Sequence, residues 1–188
     1  MNRYFLALFV ALGLIVLLII IFAGGGGTKL HKAMPVAPLV AMASSDSEVK
    51  MTISGPVVAE QDHRSIEIKI TKDRVVYNSI QGYNNNVVFS QNFINNLNSY
   101  TAFLSSLNLA GYTNVNTDPK LENDLGYCSV GNRYIFQTIQ AGKNINRSWV
   151  TNCMGTPRTF LGSLNLTTIL FEAQIPNFGR INTTSNLY

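Results

Sequence analysis

The chain has 188 residues, enough for one ordinary domain with its own core once an N-terminal apolar segment and a linker are set aside. Charged residues make up only 13%, and asparagine, serine and threonine take their place. The net charge of +4 and pI near 9.1 come from basic residues spread thinly between Arg64 and Arg180, which excludes the concentrated basic face of a nucleic-acid binder.

Residues 1–3 form a short tail. Tyr4 to Ala23 then reads YFLALFVALGLIVLLIIIFA, twenty residues without a charge. As a helix this stretch is about 30 Å long, the thickness of a bilayer core. It is apolar on all sides, so lipid is its natural surrounding. A cleaved signal peptide has a shorter apolar region, of about 7–15 residues. A retained single-pass transmembrane helix is therefore expected over 4–23, with the bilayer as its first partner. Arg3 on one side and Lys29 and Lys32 on the other nearly balance, so charge alone does not orient it.

Residues 24–47 contain four consecutive glycines, two prolines and many small side chains. This composition predicts a flexible tether, with Leu39 to Ala43 as an alternative short segment lying on the membrane surface. The folded domain is expected over 48–176 and a polar, loose tail over 177–188.

Within the domain, Ile66, Ile68 and Ile70 alternate with Ser65, Glu67 and Lys69, the period of a strand with one buried face. Val49–Val58, Arg74–Ile80 and Val87–Gln91 extend this into an antiparallel meander, with Lys72-Asp73 and Asn84-Asn85-Asn86 as turns. Tyr100, Phe103, Leu104 and Leu107 switch to helical spacing, with Asn98 as N-cap and Gly111 just past the end. Asn114 to Gly126 reads as a loop. A second helix carries Leu166, Ile169, Leu170 and Ala173 as its stripe, opened by Ser163 and stopped by Pro176. The fold class is α+β: a meander and a hairpin, with two helices on one face of an antiparallel sheet.

The hairpin carries the most local information. Gly131–Gln140 and Asn144–Asn152 flank Ala141-Gly142-Lys143. Opposed residues of an antiparallel pair have a constant number sum, near 284 for a turn centred on Gly142. Cys128 and Cys153, the only cysteines, sum to 281 and so lie nearly opposite at its open end. A disulfide between them is expected, and such bonds persist in oxidising compartments. That places the domain outside the cytoplasm. Two cysteines without a nearby histidine lack a zinc ligand set, so no metal is expected.

Chemistry-bearing residues are sparse, and no cofactor fingerprint is present. His31 falls in the linker. His63 stands in Glu60-Gln61-Asp62-His63-Arg64, where Asp62 is a candidate partner for a general base. The remaining acids, among them Glu67, Asp73, Glu122, Asp124 and Glu172, are scattered. Tyr134, Phe136, Arg147 and Trp149 gather on the hairpin, where an aromatic cluster with an arginine suits an interaction surface. Tyr134 and Phe136 share a side by strand alternation, and Trp149 is a candidate to join them. If that side meets the helices they are core, where large aromatics usually pack. Asn146, Asn165 and Asn182 open N-glycosylation sequons.

An N-terminal apolar helix, a β-rich domain and a late cysteine pair together loosely resemble type IV pilins. The chain departs from them in having no Gly-Phe processing site before the apolar stretch and no Glu near its start. The leading expectation is a non-enzymatic envelope module that binds a protein or a surface polymer. The alternatives are an anchored hydrolase using His63 and Asp62, and a subunit of a membrane or pilus-like complex.

Overall fold

The computed structural model describes residues 38–184. The expected transmembrane segment 4–23 and most of the linker lie outside the described residues. Within them, no helix is long and apolar enough to cross a membrane.

Six strands form one antiparallel sheet: β1 (Ser47–Ser54), β2 (Arg64–Ile70), β3 (Arg74–Gln81), β4 (Asn86–Ile94), β5 (Arg133–Gln140) and β6 (Lys143–Thr151). Their spatial order is β4-β3-β2-β1-β5-β6. The meander thus grows outward from β1 on one side, and the disulfide-closed hairpin adds on the other. Three helices accompany the sheet: α1 (Leu97–Leu109), α2 (Leu164–Glu172) and α3 (Phe178–Thr184).

One face of the sheet is apolar because every second residue is. Val49, Met51 and Ile53 of β1 stand beside Ile66, Ile68 and Ile70 of β2, with Tyr77 of β3 and Phe136 of β5 in the same layer. Helix α1 lays Tyr100, Phe103, Leu104 and Leu107 on this face, the expected stripe. Its cap is Asn96 rather than Asn98, with the amide oxygen accepting from Ser99 N at 3.0 Å. At the other end Gly111 takes a left-handed φ of 77°. That turn lets Tyr112 N donate to Leu107 O and Gly111 N to Asn108 O, the paired bonds that close a helix around a glycine. It also drops Tyr112 into the core, where its hydroxyl donates to Gln137 O at 2.8 Å.

Three expectations need correction. The tether does not run to residue 47: Leu39–Met42 is a 3₁₀ turn, and Leu39 and Met42, three residues apart on one side of it, are core residues. Ser45 and Ser47 hydroxyls both donate to Met42 O and fix its entry into β1. The tail is not loose from 177, because α3 packs Phe178 and Ile181 against the core, with Phe178 edge-on to Tyr77 at 6.2 Å. In α2 the buried side chains are Thr167 and Phe171, whereas Leu166 and Ile169 are exposed. The helix has two apolar stripes, and the one carrying the ring is turned inward. Phe171 then meets Phe103 edge-on at 5.3 Å.

The hairpin register is the expected one. Every pair from Arg133–Thr151 to Thr138–Asn146 sums to 284. The turn is the two residues Ala141 and Gly142, with φ of 48° and 74°, the doubly left-handed backbone that matches strand twist. Cys128 and Cys153 are joined in a disulfide.

Candidate functional site

Among the described residues, none of α1, α2 and α3 packs on the sheet's second face. One cross-strand row runs over all six strands: Ser90, Asn78, Glu67, Thr52, Ile135 and Trp149. The row changes character along its length. Its β4–β1 part is polar and open; its β5–β6 part is apolar and covered.

The cover is the segment between α1 and β5. Trp149 Nε1 donates to Leu121 O at 2.7 Å, and Tyr127 stacks on the indole at 5.1 Å. Asp124, only 6% exposed, pairs with Arg133 of β5 at 3.2 Å and with Arg147 of β6. Arg147 also donates to Glu122 O. One residue beyond Tyr127, the disulfide ties Cys128 to the end of β6. Gly131 passes so close to both sulfurs and to the Asn152 amide that a Cβ there has no room. The segment is thus strapped to the hairpin by a covalent bond, an indole hydrogen bond and a carboxylate between two guanidinia.

This geometry redistributes the aromatic cluster read from the sequence. Phe136 is 0% exposed and Trp149 1%, so neither is surface. They also lie on opposite faces. Trp149 is opposed by Ile135, and directly opposed residues share a face while strand neighbours alternate. Phe136 packs under the helices against Phe160 at 4.5 Å, Tyr134 is half-buried beside that core, and Arg147 serves the strap. The four residues do not make one interaction surface.

The open part of the face is a shallow cleft of about 460 Å³. Its centre is an ordered polar network. Ser90 Oγ donates to Asn78 Oδ1 at 2.7 Å, and Asn78 Nδ2 donates to Glu67 Oε1 at 3.1 Å. Lys69 and Lys50 reach the same carboxylate at 2.8 and 3.4 Å. Arg133 forms the wall nearest the strap, and its buried Nε has no acceptor. Three cations therefore face one carboxylate in the cleft, with Asp124 behind Arg133 offsetting part of the excess.

Burial raises the Glu67 pKa, but the Lys69 and Asn78 hydrogen bonds and the lysine charges outweigh it, and the net shift is downward. A carboxylate held below its unfolded value stabilises the fold above that value, and the contribution disappears as pH falls through the folded one. Burial shifts Glu48 in the opposite direction, so its contribution is lost as pH rises. The informative quantity is the difference between the wild type and Glu67→Gln, in which Glu48 largely cancels. Glu67→Gln is expected to be less stable at pH 7 and to lose less stability than the wild type between pH 7 and pH 3. Thermal melts at the two pH values check this.

His63 closes one corner of the cleft. It is 4% exposed and stacked on Tyr83 at 4.0 Å. Its Nδ1 lies 3.1 Å from Gly82 O, which can only accept, so Nδ1 carries the proton. In the neutral ring Nε2 then accepts from Ser54 Oγ at 3.2 Å. Both nitrogens are occupied, and the candidate pairing with Asp62 is not formed; Asp62 is exposed on the preceding turn. Sequence reasoning missed Ser54, because it reaches His63 only through the β1–β2 pairing. Among the described residues no cluster of His, Cys, Asp and Glu is arranged to hold a metal ion.

No protein-family model matches the sequence, and no curated protein matches it.

Proposed function

We propose that this protein is a membrane-anchored module, held by residues 4–23 with its folded domain outside the cytoplasm, that binds another envelope component through the open face of its sheet. The observation that carries the reading is the cleft's charge. Lys50, Lys69 and Arg133 line the cleft with Glu67 as the one acidic residue in its lining, an excess that Asp124 behind Arg133 and Glu48 beside the lysines offset in part. An acidic, oxygen-rich surface polymer complements the positive charge that remains after these ion pairs are formed. The stapled fold and the charge-poor chain suit an oxidising exterior.

A photo-crosslinking residue at Thr52, on the floor of the cleft, tests this in intact cells, with Leu109 on the exposed side of α1 as control. The expected product from Thr52 is a polydisperse, protease-resistant adduct that Leu109 does not give. A discrete protein adduct from Thr52 changes the ligand class but keeps the binding face. Equal or absent adducts at the two positions remove the reading.

A second reading, an anchored hydrolase, draws on the hydrogen bond from Ser54 to His63. Ser54 would serve as nucleophile, His63 as base, and the Gly82 carbonyl as the group that orients the ring. Covalent labelling of Ser54 by a fluorophosphonate, lost in His63→Gln, is its signature. An unlabelled chain sets it aside.

A further inference from the structure

The two edges of the sheet are built differently. The outer edge of β6 carries Lys143 and Arg147, and Thr159 N and Phe160 N both donate to Trp149 O on it. Charges and a covering segment are the usual protection of a sheet edge. The β4 edge has neither. Its nine residues, NVVFSQNFI, include no charge and no proline, and among the described residues no backbone hydrogen bond reaches its outer side. Ile94 is 98% exposed there.

The strand also reads alike in both directions. From Val88 to Ile94 the sequence is Val-Phe-Ser-Gln-Asn-Phe-Ile. About Gln91, Phe89 mirrors Phe93, Ser90 mirrors Asn92, and Val88 mirrors Ile94. A two-fold axis through an antiparallel strand pair sets each residue opposite its mirror position. The backbone agrees with this register. Asn95 N donates to Asp73 O, so alternate residues Phe93, Gln91 and Phe89 turn their N–H and C=O toward β3. Ser90, Asn92 and Ile94 turn theirs outward. The ladder irregularity between Ser79 and Ile80 leaves Val88 as the extra residue, so the regular stretch is Phe89 to Ile94.

We propose that β4 is a homodimerisation edge, on which a second copy of this chain pairs its own β4 antiparallel with Gln91 on the two-fold axis. Ser90 and Asn92 of one copy then exchange N–H···O bonds with Asn92 and Ser90 of the other. Phe89 meets the partner's Phe93 on the helix side, where Phe93 already packs on the core and Phe89 lies edge-on to Tyr77. The two sheets become continuous across the seam.

The register makes a sharp test, using the full chain in lipid nanodiscs. Gln91 faces its own copy as a non-hydrogen-bonded pair, about 4.5 Å between Cα atoms, within disulfide reach. Gln91→Cys is expected to give a covalent dimer under mild oxidation, mapped by mass to position 91 on both copies. Ser90→Cys, whose counterpart is Asn92, links at least tenfold less. Asn92→Pro removes an outward N–H without touching the β3 ladder, and is expected to weaken dimerisation at least tenfold while leaving the melting temperature of the chain at dilutions where the wild type is monomeric unchanged. The proposal is overturned if Gln91→Cys stays monomeric, or if a strap control, Asn123→Cys, links as fast. It is equally overturned if Asn92→Pro dimerises like the wild type.

Discussion

Replacing Phe136 by alanine is expected to lower the unfolding free energy by about 3–5 kcal/mol, the cost of deleting a fully buried ring that its neighbours cannot refill. The ring touches three of the largest core side chains: Tyr112 at 5.8 Å, Phe160 at 4.5 Å and Phe171 at 6.3 Å between centroids. Each comes from a different segment, so they cannot all close on the gap together. The melting temperature should fall by roughly 10 °C for a domain of this size. Trp149, the only tryptophan, gives a fluorescence signal for the melt, and it lies on the other face of the sheet. A loss below about 1 kcal/mol would mean that Phe136 is a surface residue after all, as the interaction-surface reading required.

Removing the disulfide is the second large effect. Cys128 and Cys153 are 25 residues apart, and closing such a loop stabilises by about 3.5 kcal/mol in the chain-entropy account. The paired change Cys128→Ser and Cys153→Ser avoids leaving one thiol unpartnered. The loss should not be uniform. Tyr127 adjoins Cys128 and covers Trp149, and Asp124 sits three residues further back. The strap is therefore expected to become protease-sensitive at temperatures where the sheet remains folded. Limited proteolysis with mass mapping reads this directly. An unchanged melting temperature with an intact strap would show that the indole hydrogen bond and the Asp124 pairs hold the segment by themselves.

How much of this was legible beforehand follows the range of the interactions. The hairpin register and the cysteine pairing could be read because a two-residue turn sets both through local geometry. The α1 stripe could be read because Tyr100, Phe103, Leu104 and Leu107 have one spacing and no rival. In α2 two stripes compete, and the choice is made by what Phe171 meets across the core. Trp149 was only a candidate for the face of Tyr134 and Phe136; the sum of 284 that the turn sets opposes it to Ile135 and so puts it on the other face. The cleft was the least legible part. Lys50, Glu67, Asn78 and Ser90 are brought together by the strand order, and Ser54 meets His63 the same way. The strap shows no periodicity, and its anchors Leu121, Asp124 and Tyr127 resemble ordinary loop residues until Trp149 and two arginines are placed beneath them.

The central claim, an anchored domain displayed outside the cytoplasm, is tested most directly by thiol trapping on intact cells with a membrane-impermeant reagent, with and without prior reduction, read by intact mass. The account predicts that Cys128 and Cys153 are labelled only after reduction, without lysis, on a chain that retains residues 4–23. Labelling without reduction, and only after the cells are opened, would place the domain inside with free thiols and contradict the account.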